Sequence, residues 1–210
     1  MKHPNRLTSS DFVALGAVSL WLVGAALGAV YGLWLALGST AILVGALVLA
    51  LQHRSLVTCF RFRIIDLVVG VCGGFVMVLA SRALFTPVSN AYPFVKVDAA
   101  TLYAALEGKS SILYAMLIVP IALGEEIVWR GAVQGAVMRR FSGIASVPIM
   151  AVLYALVHMP VGVPSLGLIA FACGLGWGLL RSFTAGLWAP FVAHLLWDEI
   201  MFFVAPLSPG

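Results

Sequence analysis

Four of the eight acidic residues in this sequence stand as two doublets, Glu125–Glu126 and Asp198–Glu199, each inside a long apolar run. An ionisable side chain near the middle of a bilayer costs about 2.5–3.5 kcal/mol on insertion scales, so one that is kept there faces a partner or a water-filled cavity. The first doublet reads Gly124-Glu125-Glu126-Ile127-Val128-Trp129-Arg130, which sets Glu126 and Arg130 four residues apart on one helical face, able to neutralise each other. Glu125 is turned about 100° from its neighbour and lacks that partner. An unpaired carboxylate in a low-dielectric surround suits a general base.

Two histidines extend this chemistry. His3 and His53 fall in a tail and a loop, but His158 ends the apolar stretch Tyr154-Ala155-Leu156-Val157-His158, and His194 opens His194-Leu195-Leu196-Trp197-Asp198. A lone buried histidine is usually a satisfied core residue. Two of them on separate spans, beside an unpaired glutamate on a third, point to one shared site for proton transfer. His194 and Asp198 share a face at i, i+4, so the carboxylate can hold the imidazole or line the same cavity. Glu199 is turned away and reads as a packing or interface charge, while Asp66 and Arg82 read as boundary residues of a span. Cys59, Cys72 and Cys173 are far apart and suggest neither a disulfide framework nor a CxxC metal site.

The elements that must position these groups are membrane spans. The chain is 62% hydrophobic and 10% charged, against about 25% charged in a soluble domain. From Phe12 to Leu51 there is no Asp, Glu, Lys, Arg or His, a run about twice the roughly 20 residues that cross a bilayer as a helix. Unbroken apolar runs select helices over a barrel, whose strands would alternate. The same length sets aside a signal peptide over Met1 to about Ala29, since a second span follows directly. The expected architecture is all-α, a polytopic transmembrane helical bundle of about seven spans at 12–31, 33–51, 64–83, 111–138, 143–159, 165–180 and 185–204. Thr86 to Lys109 is the only long connection, with a short interfacial helix expected over Asp98–Glu107. The whole chain, 1–210, reads as one integral membrane domain, with 1–110 as scaffold and 111–204 as the catalytic core.

Charge sets the expected orientation. With the N-terminus in the cytoplasm of a multi-pass cell-membrane protein, Lys2, Arg6, Arg54, Arg61, Arg63, Arg139, Arg140 and Arg181 fall inside and only Arg82, Lys96 and Lys109 outside. The Pro206–Gly210 tail is then extracytoplasmic. The net charge of +4 arises from these scattered loop residues, which form no stripe of the kind that binds nucleic acid. The partners expected are the lipid bilayer and a peptide or protein tail, and the sequence sets no oligomeric state.

Together the three pieces resemble the CPBP family of CAAX proteases and bacteriocin-processing membrane proteins, whose motifs are EExxxR, an aromatic-xxx-His and HxxxN or HxxxD. Here they read Glu125-Glu126 to Arg130, Tyr154 to His158, and His194 to Asp198, in order and on separate spans. The resemblance implies a glutamic-type intramembrane protease without cofactor or metal. Glu125 and His158 would activate water, His194 and Asp198 would border the oxyanion, and Glu126, Arg130 and Tyr154 would support them. Tyr154 stands where Phe is common, which keeps the ring. Asp198 stands where many members have Asn, and an ionised Asp cannot donate to an oxyanion; it is either protonated or orients His194. Three other readings compete. Two histidines and a carboxylate are a zinc set, although HExxH is absent; the resemblance also covers immunity and scaffold proteins; and a proton-coupled transporter would show an inverted repeat, which is not evident.

Overall fold

A computed structural model describes residues 7–207, so Lys2, His3 and Arg6 lie outside the described residues. Helices and turns account for the described chain, and no strand occurs among the described residues. Helix α1 (Ser9–Tyr31) opens on a capping box between Thr8 and Asp11, which satisfies N–H groups that a helix start otherwise leaves orphaned. A one-residue turn at Gly32, with φ 92°, reverses the chain into α2 (Leu33–Leu56). Helix α3 (Ile64–Ala91) and α4 (Phe94–Ala104) follow. The fourth membrane-length path is composite: α5 (Ser111–Glu126), a π-helical stretch (Ile127–Val133) and α6 (Gln134–Met138). Then come α7 (Gly143–His158), α8 (Pro164–Thr184) and α9 (Trp188–Glu199), the last continued by a second π-helical stretch, Ile200–Val204.

Six of these paths are long and apolar enough to cross a membrane by length and composition. The seventh, Trp188–Val204, joins twelve α residues to five π residues, at the short end of what spans a bilayer. The expected spans therefore stand, with two adjustments. The third runs on to Ala91 through Pro87 instead of stopping near residue 83, which shortens the long connection. The interfacial helix begins at Phe94, four residues before Asp98.

The helices meet at small residues. A Cβ on Gly45 of α2 would lie 2.6 Å from the Gly124 Cα, and one on Gly124 would run into the Ala41 carbonyl, so α2 and α5 touch backbone to backbone one residue before Glu125. On α3, a Cβ at Gly70 would lie 2.7 Å from the Ala189 carbonyl oxygen and one at Gly74 would lie 3.1 Å from the Ala193 Cα, which seats α3 against α9. Without a hydrophobic driving force between helices in lipid, such close approach supplies the van der Waals contact that holds spans together.

Polar ties close the two ends of the bundle. At one end Asp11, buried, accepts from Arg139 at 2.7 Å and from Arg140 at 3.0 Å; the Asp11 carboxylate in turn raises the pKa of the exposed Arg140 guanidinium. Buried Asp66 accepts from Arg63 at 2.6 Å, a boundary role as expected. At the other end Asp98 on α4 accepts from the Ser165 N–H at 2.8 Å and its hydroxyl at 2.6 Å, tying α4 to the start of α8. Tyr103 donates to the Met201 carbonyl at 3.0 Å and accepts from the Leu207 N–H at 3.0 Å.

Candidate active site

Both acidic doublets sit where an α-helix gives way to a π-helical stretch: Glu125–Glu126 just before Ile127, and Asp198–Glu199 just before Ile200. Single π turns inside α-helices recur at functional sites because they break the regular ladder and re-aim side chains. Pro120, which cannot donate to the preceding turn, lies in α5 ahead of the first doublet.

Glu126, fully buried, is the hub. One of its oxygens, Oε1, accepts from Arg130 at 3.1 Å and meets His194 Nδ1 at 2.8 Å. The expected i, i+4 pair is therefore present, and it reaches across to α9. His194 Nε2 lies 3.3 Å from Asp198 Oδ2, the second expected i, i+4 pair. An ionised carboxylate only accepts, so a histidine with one at each nitrogen donates from both, the imidazolium form. Removing one partner from a buried pair of this kind costs about 3–5 kcal/mol, because the other charge is left unpaired.

Aromatic rings complete the frame. The Arg130 guanidinium lies over the Tyr154 ring at 4.7 Å and the Trp177 ring at 5.0 Å. His194 is stacked on Trp177 at 3.7 Å with 18° between the planes. Trp129 meets Tyr154 edge to face at 5.0 Å, and Trp21 of α1 meets Trp129 at 5.4 Å. Trp177 and Trp21 are the residues that sequence reasoning missed. A tryptophan inside a span, away from the interface where that residue gathers, and flanked by Gly176 and Gly178, was the available signal for the first.

Glu125 points elsewhere, as its rotation on the helix requires. Its Oε2 accepts a hydrogen bond from the Tyr154 hydroxyl, a partner the sequence did not pair with it. The other carboxylate oxygen keeps its acceptor capacity. His158 Nδ1 lies 2.7 Å from the Tyr154 carbonyl; a carbonyl only accepts, so Nδ1 carries the hydrogen and Nε2 of the neutral ring is the acceptor. Tyr154 thus orients both residues, one through its side chain and one through its backbone.

Glu125, Tyr154, His158, His194 and Asp198 all line one cavity of about 430 Å³. Its remaining wall is mostly apolar and comes from α2, α3, α4 and α8 as well, including Trp34, Met77, Leu102 and Ile169. Glu126 and Arg130 stand behind this surface. Glu199 is half-buried and outside the lining, and His53 is exposed. Among the described residues no group of three or more His, Cys, Asp or Glu is arranged to hold a metal ion.

No curated protein and no solved structure matches the chain. A family model does, over residues 107–200: type II CAAX prenyl endopeptidase Rce1-like. That interval contains all three motifs and every residue of the polar cluster. The chain is thus similar, over residues 107–200, to the Rce1-like CAAX endopeptidases, a class of membrane protease.

Proposed function

We propose that the protein is a glutamic-type intramembrane endopeptidase that cleaves near the ends of membrane-associated or exported proteins. The observation that carries this reading is that Glu125 and His158 line one cavity and are both held by Tyr154, which leaves an acceptor on each, the second oxygen of Glu125 and Nε2 of His158. A water held between them loses a proton to Glu125 as its oxygen bonds to the peptide carbonyl carbon. The carbonyl π electrons move to oxygen, giving a tetrahedral oxyanion. On collapse the C–N bond breaks and the proton passes to the leaving nitrogen, so that water is divided between the two products. His194, held by Glu126 and Asp198, supplies positive charge beside the oxyanion. Asp198 keeps His194 in place and is not itself an oxyanion donor.

Substitution separates this from the other readings. Glu125→Gln is expected to lower cleavage by about 10²–10⁴-fold, the usual contribution of a positioned general base, in a protein that still inserts and purifies. His158→Ala and His194→Ala follow it and His53→Ala does not. Wild-type cleavage by Glu125→Gln rules out this mechanism. Zinc-dependent hydrolysis would show as stoichiometric metal and loss of activity on chelation. A Glu125→Ala variant with full cellular function would favour an immunity or scaffold role.

The orientation belongs to the same proposal. Arg54, Arg61, Arg63, Arg139, Arg140 and Arg181 gather at one end of the bundle, and Arg82, Lys96 and Lys109 at the other, where α4 lies and the cavity wall extends. The positive-inside rule puts the first end in the cytoplasm. The cavity then faces the extracytoplasmic side.

A further inference from the structure

Among the described basic residues at its end of the bundle, Arg181 on α8 alone is buried; Arg54, Arg61, Arg63, Arg139 and Arg140 are all exposed. A buried charge is costly unless something in the protein pairs with it. No carboxylate of the described residues lies within ion-pair distance of this one. Its hydrogen bonds go elsewhere: Nε donates to the main-chain carbonyl of Arg130 at 3.2 Å, and Nη2 to the Cys59 sulfur at 3.3 Å.

That carbonyl is one the π-helical stretch disturbs. In an α-helix the Gln134 N–H would point at Arg130, four residues back; here it bonds to the Trp129 carbonyl, five back, at the end of the stretch. Arg181 supplies a donor where the ladder has moved its own. One turn earlier on α8, the Trp177 ring lies 5.0 Å from the Arg130 guanidinium. Helix α8 therefore grips Arg130 at both backbone and side chain, and Arg130 in turn holds the Glu126 oxygen that meets His194. Resting on the hydrolytic reading above, we propose that Arg181 is a positioning residue for peptide cleavage. It replaces the donor that the π turn withdraws from the Arg130 carbonyl, and so fixes the backbone from which Arg130 reaches Glu126. It acts at a distance from substrate, since neither Arg181 nor Cys59 lines the cavity. Its loss lowers kcat through His194 and leaves KM alone.

Arg130–Gly131 is the one Arg-Gly step in the sequence. Full-length protein labelled with ¹³C-carbonyl arginine and ¹⁵N-glycine therefore gives a single carbonyl-to-nitrogen correlation in solid-state NMR, that of the Arg130 carbonyl. Kinetics are read in nanodiscs on an internally quenched peptide of leucine and alanine. In Arg181→Met, close in shape and apolar, the resonance is expected to move upfield and kcat to fall about tenfold at unchanged KM, within the roughly hundredfold that misplacement remote from the chemistry can cost. Arg181→Gln keeps an N–H donor as many bonds from the backbone as Nε, without the charge. It is expected to hold the resonance and recover most of kcat, which a role in topology or packing alone would not produce. An unmoved resonance in Arg181→Met overturns the inference, as does a moved one with unchanged kcat, or a Gln variant no better than Met. If Arg181→Met does not fold, the Gln variant decides: resonance and kcat both kept support the inference, and loss of either in folded protein overturns it. Absence of cleavage by wild-type protein counts against the hydrolytic reading, while the resonance still decides whether Arg181 holds the Arg130 carbonyl.

Discussion

His194 is held from three directions: Glu126 at one nitrogen, Asp198 at the other, and Trp177 against its face. If Asp198 serves by holding the imidazole, its charge matters as well as its shape. Asp198→Asn is therefore expected to be nearly as impaired as Asp198→Ala, each losing about 10²–10³-fold in kcat, the range seen when a preorganised electrostatic partner is removed. An Asn variant with most of the wild-type rate would move Asp198 to the oxyanion side instead. Trp177 acts through its ring plane, and a stacked aromatic contact contributes about 0.5–1.5 kcal/mol beyond its buried area. Trp177→Phe is expected to keep most of kcat, and Trp177→Leu to lower it severalfold with KM little changed. Equal kcat in the two variants would reduce Trp177 to packing. The carboxylates and histidines were legible in the sequence because charge is scarce there and each one had to be explained. Trp177 was not, since one more aromatic residue in an apolar chain raises no question until its neighbours are known. Glu126 was legible as half of an ion pair with Arg130, but its hold on His194 spans 68 residues and no local spacing encodes it.

Helix positions followed from apolar run length, a signal that survives without any knowledge of packing. The π-helical stretches did not, because the sequence there is as apolar and as helix-compatible as its surroundings. Each doublet occupies the last α positions before the ladder changes. The contact of α2 with α5 fixes where this happens. Gly124→Ala is expected to force the two backbones apart, at the cost of about 1–3 kcal/mol typical of overpacking, and to lower activity further than the loss of folded protein accounts for, because Glu125 is the next residue. Thermal unfolding in detergent and the specific activity of the folded fraction measure the two parts. An Ala variant of unchanged stability would mean that α2 and α5 can part freely at this point. Gly135, where a Cβ would meet nothing within 4 Å, is the matched control.

For the molecule as a whole, the orientation proposed from its charges is open to direct labelling. Pro160 and Pro164, exposed on either side of buried Val161, flank the short connection between α7 and α8, at the cavity end of the bundle. Single cysteines there, in a background without Cys59, Cys72 and Cys173, are expected to react with an impermeant thiol reagent added to intact cells. Labelling only after the membrane is opened would reverse the orientation and turn the cavity to the cytoplasm.

The backbone contact between Gly45 and Gly124 joins parts of the chain that are separated by a turn at Gly108, exposed and at φ 69°. Spans that insert one by one and associate afterwards do not need an unbroken chain between them. Two polypeptides, 1–107 and 108–210, made together in one membrane are therefore expected to find each other and restore activity. The second, although it carries all three motifs, should be inert when made alone. Complementation of this kind turns the fit between halves into something selectable: a bulky residue at Gly45 on one polypeptide should abolish rescue, even though the other arrives with every acid and base of the polar cluster.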